Sequence, residues 1–94
     1  MIIVSGHLTV DAHDRARYLA ECDTVIRDAR RAPGCIDFQL RADALEDDRI
    51  NVFEQWESVA AVEAFRGSGP SDEQSTAIRD AQVFQHEIAS STRL

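Results

Sequence analysis

Arg49-Ile50-Asn51-Val52-Phe53-Glu54-Gln55-Trp56-Glu57-Ser58 alternates residue by residue, and then the pattern changes. Ile50, Val52, Glu54 and Trp56 fall on one face of an extended segment, and Asn51, Phe53, Gln55 and Glu57 on the other. From Ser58 the apolar residues move to helical spacing, through Val59, Val62 and Phe65, which predicts a helix over 58–66. Gly67-Ser68-Gly69-Pro70 breaks that helix. Ser71 and Gln74 then match a capping box and predict a short helix over 71–79. Over 82–89, Phe84, His86 and Ile88 alternate with Val83, Gln85, Glu87 and Ala89, a last strand.

The same reading works upstream. Over 35–41, Ile36, Phe38 and Leu40 alternate with Cys35, Asp37, Gln39 and Arg41, so Cys35 is placed on the more polar face. Residues 42–48 form a polar connection carrying Asp43, Glu46, Asp47 and Asp48. Over 2–10, Ile2, Val4, Gly6, Leu8 and Val10 share one face, and Ile3, Ser5, His7 and Thr9 the other. Asp11 can cap the next element, with Asp14 near the positive end of its dipole. Ala12, Ala16, Leu19, Cys22, Ile26 and Ala29, widened by Tyr18, Val25 and Ala32, predict one helix of about five turns. Pro33-Gly34 ends it. The order is β-α-β-β-α-β, an α+β chain of ferredoxin-like pattern with an antiparallel sheet. Right-handed crossovers put both helices on one sheet face. Ile3, Phe53, Phe84 and Ile88 lie on the other, and an uncovered apolar face predicts a homodimer.

Composition bounds the function. A chain of 94 residues is expected to be a single domain over 1–94, and it buries only about 60–65% of its surface alone. With 44% hydrophobic and 29% charged residues it is a globular chain. A net charge of −7 argues against nucleic acid and anionic membranes as partners. No apolar run approaches the roughly 18 residues of a membrane span, and the start lacks the charged and apolar regions of a signal peptide. A cytoplasmic location is therefore expected, with Cys22 and Cys35 as thiols. All ten basic residues are Arg, which excludes lysine Schiff-base chemistry and a P-loop lysine.

Pro33-Gly34-Cys35 after a long helix, and Phe53-Glu54-Gln55-Trp56-Glu57-Ser58 followed by Ala61 and Phe65, resemble a known family. It is the antibiotic-biosynthesis monooxygenase (ABM) domain of the dimeric α/β-barrel superfamily, and the resemblance spans nearly the whole chain. It implies a ferredoxin-like subunit paired through its sheet into a dimeric α/β barrel. It implies a pocket between sheet and helices, with Trp56 as a wall and Phe65 packed nearby. Characterised members oxidise anthrone-like polycyclic phenols to quinones without flavin, haem or metal, and others bind and degrade haem through a histidine on the second helix. No histidine occurs between Glu57 and Arg79, so that ligand is absent. The quinone-forming members carry Asn four residues before the Trp. Here that position is Val52, and the neighbouring Asn51 points to the other face.

The candidate site residues have more than one reading each. Trp56 is a core aromatic, a substrate wall, or both. Glu54 among apolar neighbours is a base of raised pKa, an ion-pair partner of an arginine, or a carboxylate at the sheet rim. His7 and His86 lie on neighbouring strands and are acid/base groups, half of a metal site, or hydrogen-bonded structural or dimer-interface histidines. Cys22 reads as a core thiol, and His13 as a solvated residue at a helix start. The turn from Arg66 to Ser71 is a helix-breaking loop, an anion-binding turn or a lid. Neither a Gly-rich dinucleotide motif nor a cluster at metal-ligand spacing is visible, so no cofactor and no metal are expected. The resulting expectation is a cofactor-independent monooxygenase that uses dioxygen on an electron-rich aromatic substrate of phenol or anthrone type. The alternative is a non-catalytic ligand-binding or accessory dimer on the same scaffold. A hollow beside Trp56 with a polar group inside separates the first from the second, which predicts a filled core.

Overall fold

Strand β1 (Ile2–Thr9) runs through the middle of the sheet in the computed structural model, which describes residues 1–67 and 77–94. It pairs antiparallel with β3 (Arg49–Trp56) on one side and β4 (Asp80–Glu87) on the other. Strand β2 (Cys35–Ala42) pairs antiparallel with the outer side of β3, so the sheet order is β2-β3-β1-β4. With the intervening helices this is the ferredoxin-like α+β arrangement. The register puts Val4 opposite Glu54 and Gly6 opposite Val52, as the alternation of β3 required.

One expected helix is not continuous. A 3-10 turn (Ala12–Asp14) is followed by α1 (Arg15–Glu21) and α2 (Asp23–Arg31), interrupted at Cys22. The Cys22 amide is shared between the carbonyls of Tyr18 and Leu19, at 3.1 and 3.2 Å, and this bifurcation tightens the turn. Asp11 makes no side-chain capping bond and instead pairs with Arg79 at 2.8 Å. Ala32 takes extended geometry ahead of Pro33, as a residue before proline must, and Gly34 follows at φ +84°. A Cβ on Gly34 would lie 2.6 Å from the Cβ of Ala61, so glycine is required there for packing as well as for conformation. Helix α3 (Val59–Arg66) starts at Ser58, whose hydroxyl accepts the Ala61 amide at 3.2 Å.

Strand β2 departs from strict alternation. Cys35 pairs with Trp56 and Asp37 with Gln55, leaving Ile36 as the extra residue of a bulge. Cys35 therefore packs against the core, not on the polar face expected for it, while Ile36 is 48% exposed. Strand β4 begins and ends two residues earlier than the alternation suggested. The expected 71–79 helix and its Ser71/Gln74 capping box lie largely outside the described residues.

The helices cover one face of the sheet. Ile2, Val4, Ala29, Phe38, Trp56 and Val62 form one buried cluster, and Val10, Tyr18, Cys22 and Ile50 a second. The opposite face carries Ser5 between Phe53 and Phe84, Ile3 between Gln55 and His86, and His7 between Asn51 and Gln82. Phe84 is 60% exposed there. No described helix is long and apolar enough to cross a membrane.

Candidate active site

A cavity of about 440 Å³ opens between the two core clusters. Its floor is the sheet: Leu8 from β1, Phe38 and Leu40 from β2, Val52 and Glu54 from β3, and Val83 from β4. Leu40, Val52, Gly6 and Val83 form one row across the four strands, and Gly6 places no side chain between Val4 and Leu8. Its roof is helical: Tyr18 from α1, Val25 and Asp28 from α2, Phe65 and Arg66 from α3, with Cys22 at the α1–α2 junction.

Glu54 is the carboxylate on that floor. Trp56, two residues on and on the same face, donates its Nε1–H to Glu54 Oε1 at 2.9 Å. Burial pushes the Glu54 carboxyl above the ordinary range, opposed by the Trp56 hydrogen bond and by the charge of Arg66. A carboxylate so placed is a better proton acceptor than one in water. Tyr18 and Cys22 sit one helical turn apart and share a side-chain hydrogen bond. Burial, then the neighbouring Cys22, raise the Tyr18 phenol to about 12, and burial also raises the Cys22 thiol. Both are neutral hydrogen-bonding groups near neutral pH. Arg66 donates from its guanidinium to Gln85 Oε1 at 2.8 Å, linking α3 to β4.

The expected site residues separate into two sets. Glu54 and Phe65 line the cavity. Trp56 is fully buried behind them, its ring 5.4 Å from that of Phe65 and tilted against it, so it supports the wall from within the core. His7 and His86 share a sheet face, as expected, but it is the face turned away from the cavity. The partner of His7 on β4 is Gln82, four residues from His86, so the two histidines stand roughly 13 Å apart along the strand. Of the three candidates His7, Glu54 and His86, Glu54 is the one that lines the cavity. The sequence does not bring Tyr18, Cys22, Asp28, Phe38 and Arg66 together, because periodicity marks the face a residue uses on its own helix or strand and not whether space is left between the faces.

For metal, Asp11, His13 and Asp14 bring ligand atoms within 4.8 Å of one another at the start of the first helical segment. Asp11 already pairs with Arg79 and Asp14 with Arg17, and none of the three lines the cavity.

The sequence pattern of the antibiotic biosynthesis monooxygenase family matches residues 1–83. The chain belongs to this family. Among solved structures, this ABM chain is similar to a candidate antibiotic biosynthesis monooxygenase from Deinococcus radiodurans, with a TM-score of 0.80, 16% identity, and 100% and 98% of the two chains covered. A second candidate, from Nitrosomonas europaea, matches with a TM-score of 0.80 at 10% identity over 96% and 100% of the chains. Rv0793 from Mycobacterium tuberculosis matches at 0.79 and 20% identity, covering 98% of each. At these identities the likeness concerns the fold. By sequence, an uncharacterized Synechocystis protein, sll1783, is 32% identical over 62 residues, 66% of this chain and 42% of that protein. The ABM chain thus spans under half the length of that relative.

Proposed function

We propose that this ABM chain is a monooxygenase that oxidises an electron-rich aromatic of phenol or anthrone type with dioxygen and no added cofactor. The observation that carries the reading is Glu54, a half-buried carboxylate of raised proton affinity on the floor of an otherwise largely apolar cavity. An activated CH₂ or phenolic O–H placed beside it loses a proton to the carboxylate. The resulting carbanion or enolate is electron-rich enough to reduce dioxygen. For an anthrone, R₂CH₂ + O₂ gives R₂C=O + H₂O. The substrate supplies all four electrons, one oxygen atom enters the product and the other leaves as water. A ring seated against the apolar walls would displace water, which otherwise competes for the proton and stabilises the ground-state anion. Trp56 holds Glu54 in place, and Phe65 offers a ring face to the substrate.

The subunit is proposed to act as a homodimer joined through the sheet face that carries Phe53 and Phe84, giving the dimeric α/β barrel. His7 and His86 then belong to the interface. A cytoplasmic setting accords with two cysteines that are not joined in a disulfide.

The test is oxygen uptake by purified protein with anthrone in air, beside a Glu54→Gln variant whose thermal melt shows it folded. Wild type is expected to consume oxygen above background, and the variant to lose at least about 100-fold in rate, the usual worth of a positioned base. A folded wild type that consumes no oxygen across anthrones and hydroquinones overturns the reading. That outcome favours the ligand-binding or accessory dimer, for which the observation is Val52: an apolar side chain lines the cavity where quinone-forming relatives carry Asn. Light scattering that returned a 10.5 kDa monomer at micromolar concentration would overturn the dimer.

A further inference from the structure

We propose that the cavity selects a planar aromatic bearing one acidic group, a carboxylate or an ionised phenol, and that Arg66 is the residue that reads this group. The inference rests on the reading of the cavity as the substrate site and narrows the class of substrate it takes.

Arg66 stands in the last turn of α3, next to Phe65, and lines the cavity that holds Glu54. Among the described residues it is the cation on that lining. Its partner distinguishes it from the ion-paired arginines, and its place on the lining from Arg15 and Arg30, which also donate to neutral oxygens but lie outside the cavity. Arg17 pairs with Asp14, Arg27 with Asp23, Arg49 with Asp43 and Glu46, and Arg79 with Asp11. Arg66 instead donates to a neutral amide oxygen, that of Gln85, at 2.8 Å, and makes no ion pair among the described residues. Arg66 acts on Glu54 through its charge without an ion-pair contact, and its described hydrogen bond goes to an amide, so its guanidinium keeps N–H donors for an entering anion.

An entering anion exchanges that neutral acceptor for a charged one, and charge-assisted hydrogen bonds are about twice as strong as neutral ones. The planar guanidinium fork suits a carboxylate through two parallel bonds. The remaining walls, Leu8, Val25, Phe38, Leu40, Phe65 and Val83, ask for an apolar ring. The two carboxylates on the lining set the upper limit on charge. Glu54 is engaged by the indole N–H of Trp56. Asp28 lies on an exposed position of α2. A ligand with a single negative charge gains Arg66 without a second charge to set against them.

The test compares 2-naphthoate with 2-naphthamide, which have the same ring system and differ in charge, by calorimetric titration of the purified protein. Wild type is expected to bind the carboxylate at least about tenfold more tightly than the amide, equivalent to about 1.4 kcal/mol. Arg66→Met and Arg66→Gln should bring the two ligands within about twofold of one another while leaving the affinity for the amide in place. Arg17→Met removes the same charge from a surface ion pair outside the cavity lining and should keep the preference, which separates a local contact from the overall field. A wild type that does not discriminate, a preference that survives both Arg66 variants, an equal loss in Arg17→Met, or no binding of either ligand overturns the proposal. Naphthoate is not a turnover substrate. A protein that prefers it through Arg66 and yet consumes no oxygen with anthrones keeps this inference and loses the monooxygenase reading.

Discussion

Trp56→Phe separates the packing role of the indole from its electrostatic role at Glu54, because the two respond differently to pH. The substitution keeps an aromatic ring against Phe65 but removes part of a fully buried side chain and its N–H donor. The packing loss, a few ring atoms at a site with no solvent exposure, should be on the order of 1–2 kcal/mol at every pH. The lost hydrogen bond to a carboxylate is worth about 1.5–3 kcal/mol, and the lower end applies because Glu54 is part-solvated. That second loss exists only where Glu54 is ionised. The proton affinity of Glu54 in the folded protein is raised by burial, so its contribution to stability is fully present below the ordinary carboxylate range and falls as pH rises through its folded pKa. The Trp56 bond opposes that rise, so without it the folded pKa climbs further and more stability is lost at high pH. The gap between wild type and variant should be about 1–2 kcal/mol near pH 4 and about 1.5 kcal/mol wider near pH 8. On a chain of this size each kcal/mol moves Tm by about 4–8 °C. Urea unfolding followed by far-ultraviolet circular dichroism measures it, since Trp56 is the only tryptophan and its fluorescence is lost in the variant. In a Glu54→Gln background the widening should vanish. A gap that is flat with pH, or a widening that persists in that background, would refute the coupling of Trp56 to Glu54.

Gly6→Ala should be severely destabilising, with a melt depressed far more than other β-strand alanine substitutions, because Gly6 has φ +147° and a Cβ would run into the Gln82 carbonyl oxygen of the paired strand; a near-wild-type Tm would show that β1 and β4 pair differently. Ser58→Ala removes the hydroxyl that accepts the Ala61 amide and should cost about 0.5–2 kcal/mol in denaturant unfolding, most of it recovered in Ser58→Asp. Asp43 is held down to about 2 by the backbone amide of Glu46, the side chain of Asn51 and the amide of Leu45, so its contribution is present above the ordinary carboxylate range and lost as pH falls toward 2. Asp43→Ala should therefore weaken the chain at neutral pH and match wild type in strong acid, as seen by thermal melts across that range.

The amino-acid sequence alone carried the order of elements and the assignment of faces, because a period of two and a period near 3.6 are local properties of each segment. The alternation of β3 put Glu54 and Trp56 on the same face as Ile50 and Val52, and Pro33-Gly34 marked the end of the first helical stretch. What periodicity could not carry was any count of residues across strands. The bulge at Ile36, which turns Cys35 into the core, arises from how β2 meets the end of β3. Nor could it distinguish a filled face from a hollow one. His7 and His86 alternate with apolar residues much as Glu54 does, yet they face away from the helices and Glu54 faces the cavity. The space over Glu54 is set by the distance at which α1, α2 and α3 settle on the sheet. That distance is decided by side chains far apart in the chain, Tyr18 and Cys22 with Ile50 on one side and Phe38, Trp56 and Phe65 on the other. Volume between packed elements is a property of the whole assembly of side chains, and only the tertiary structure contains it.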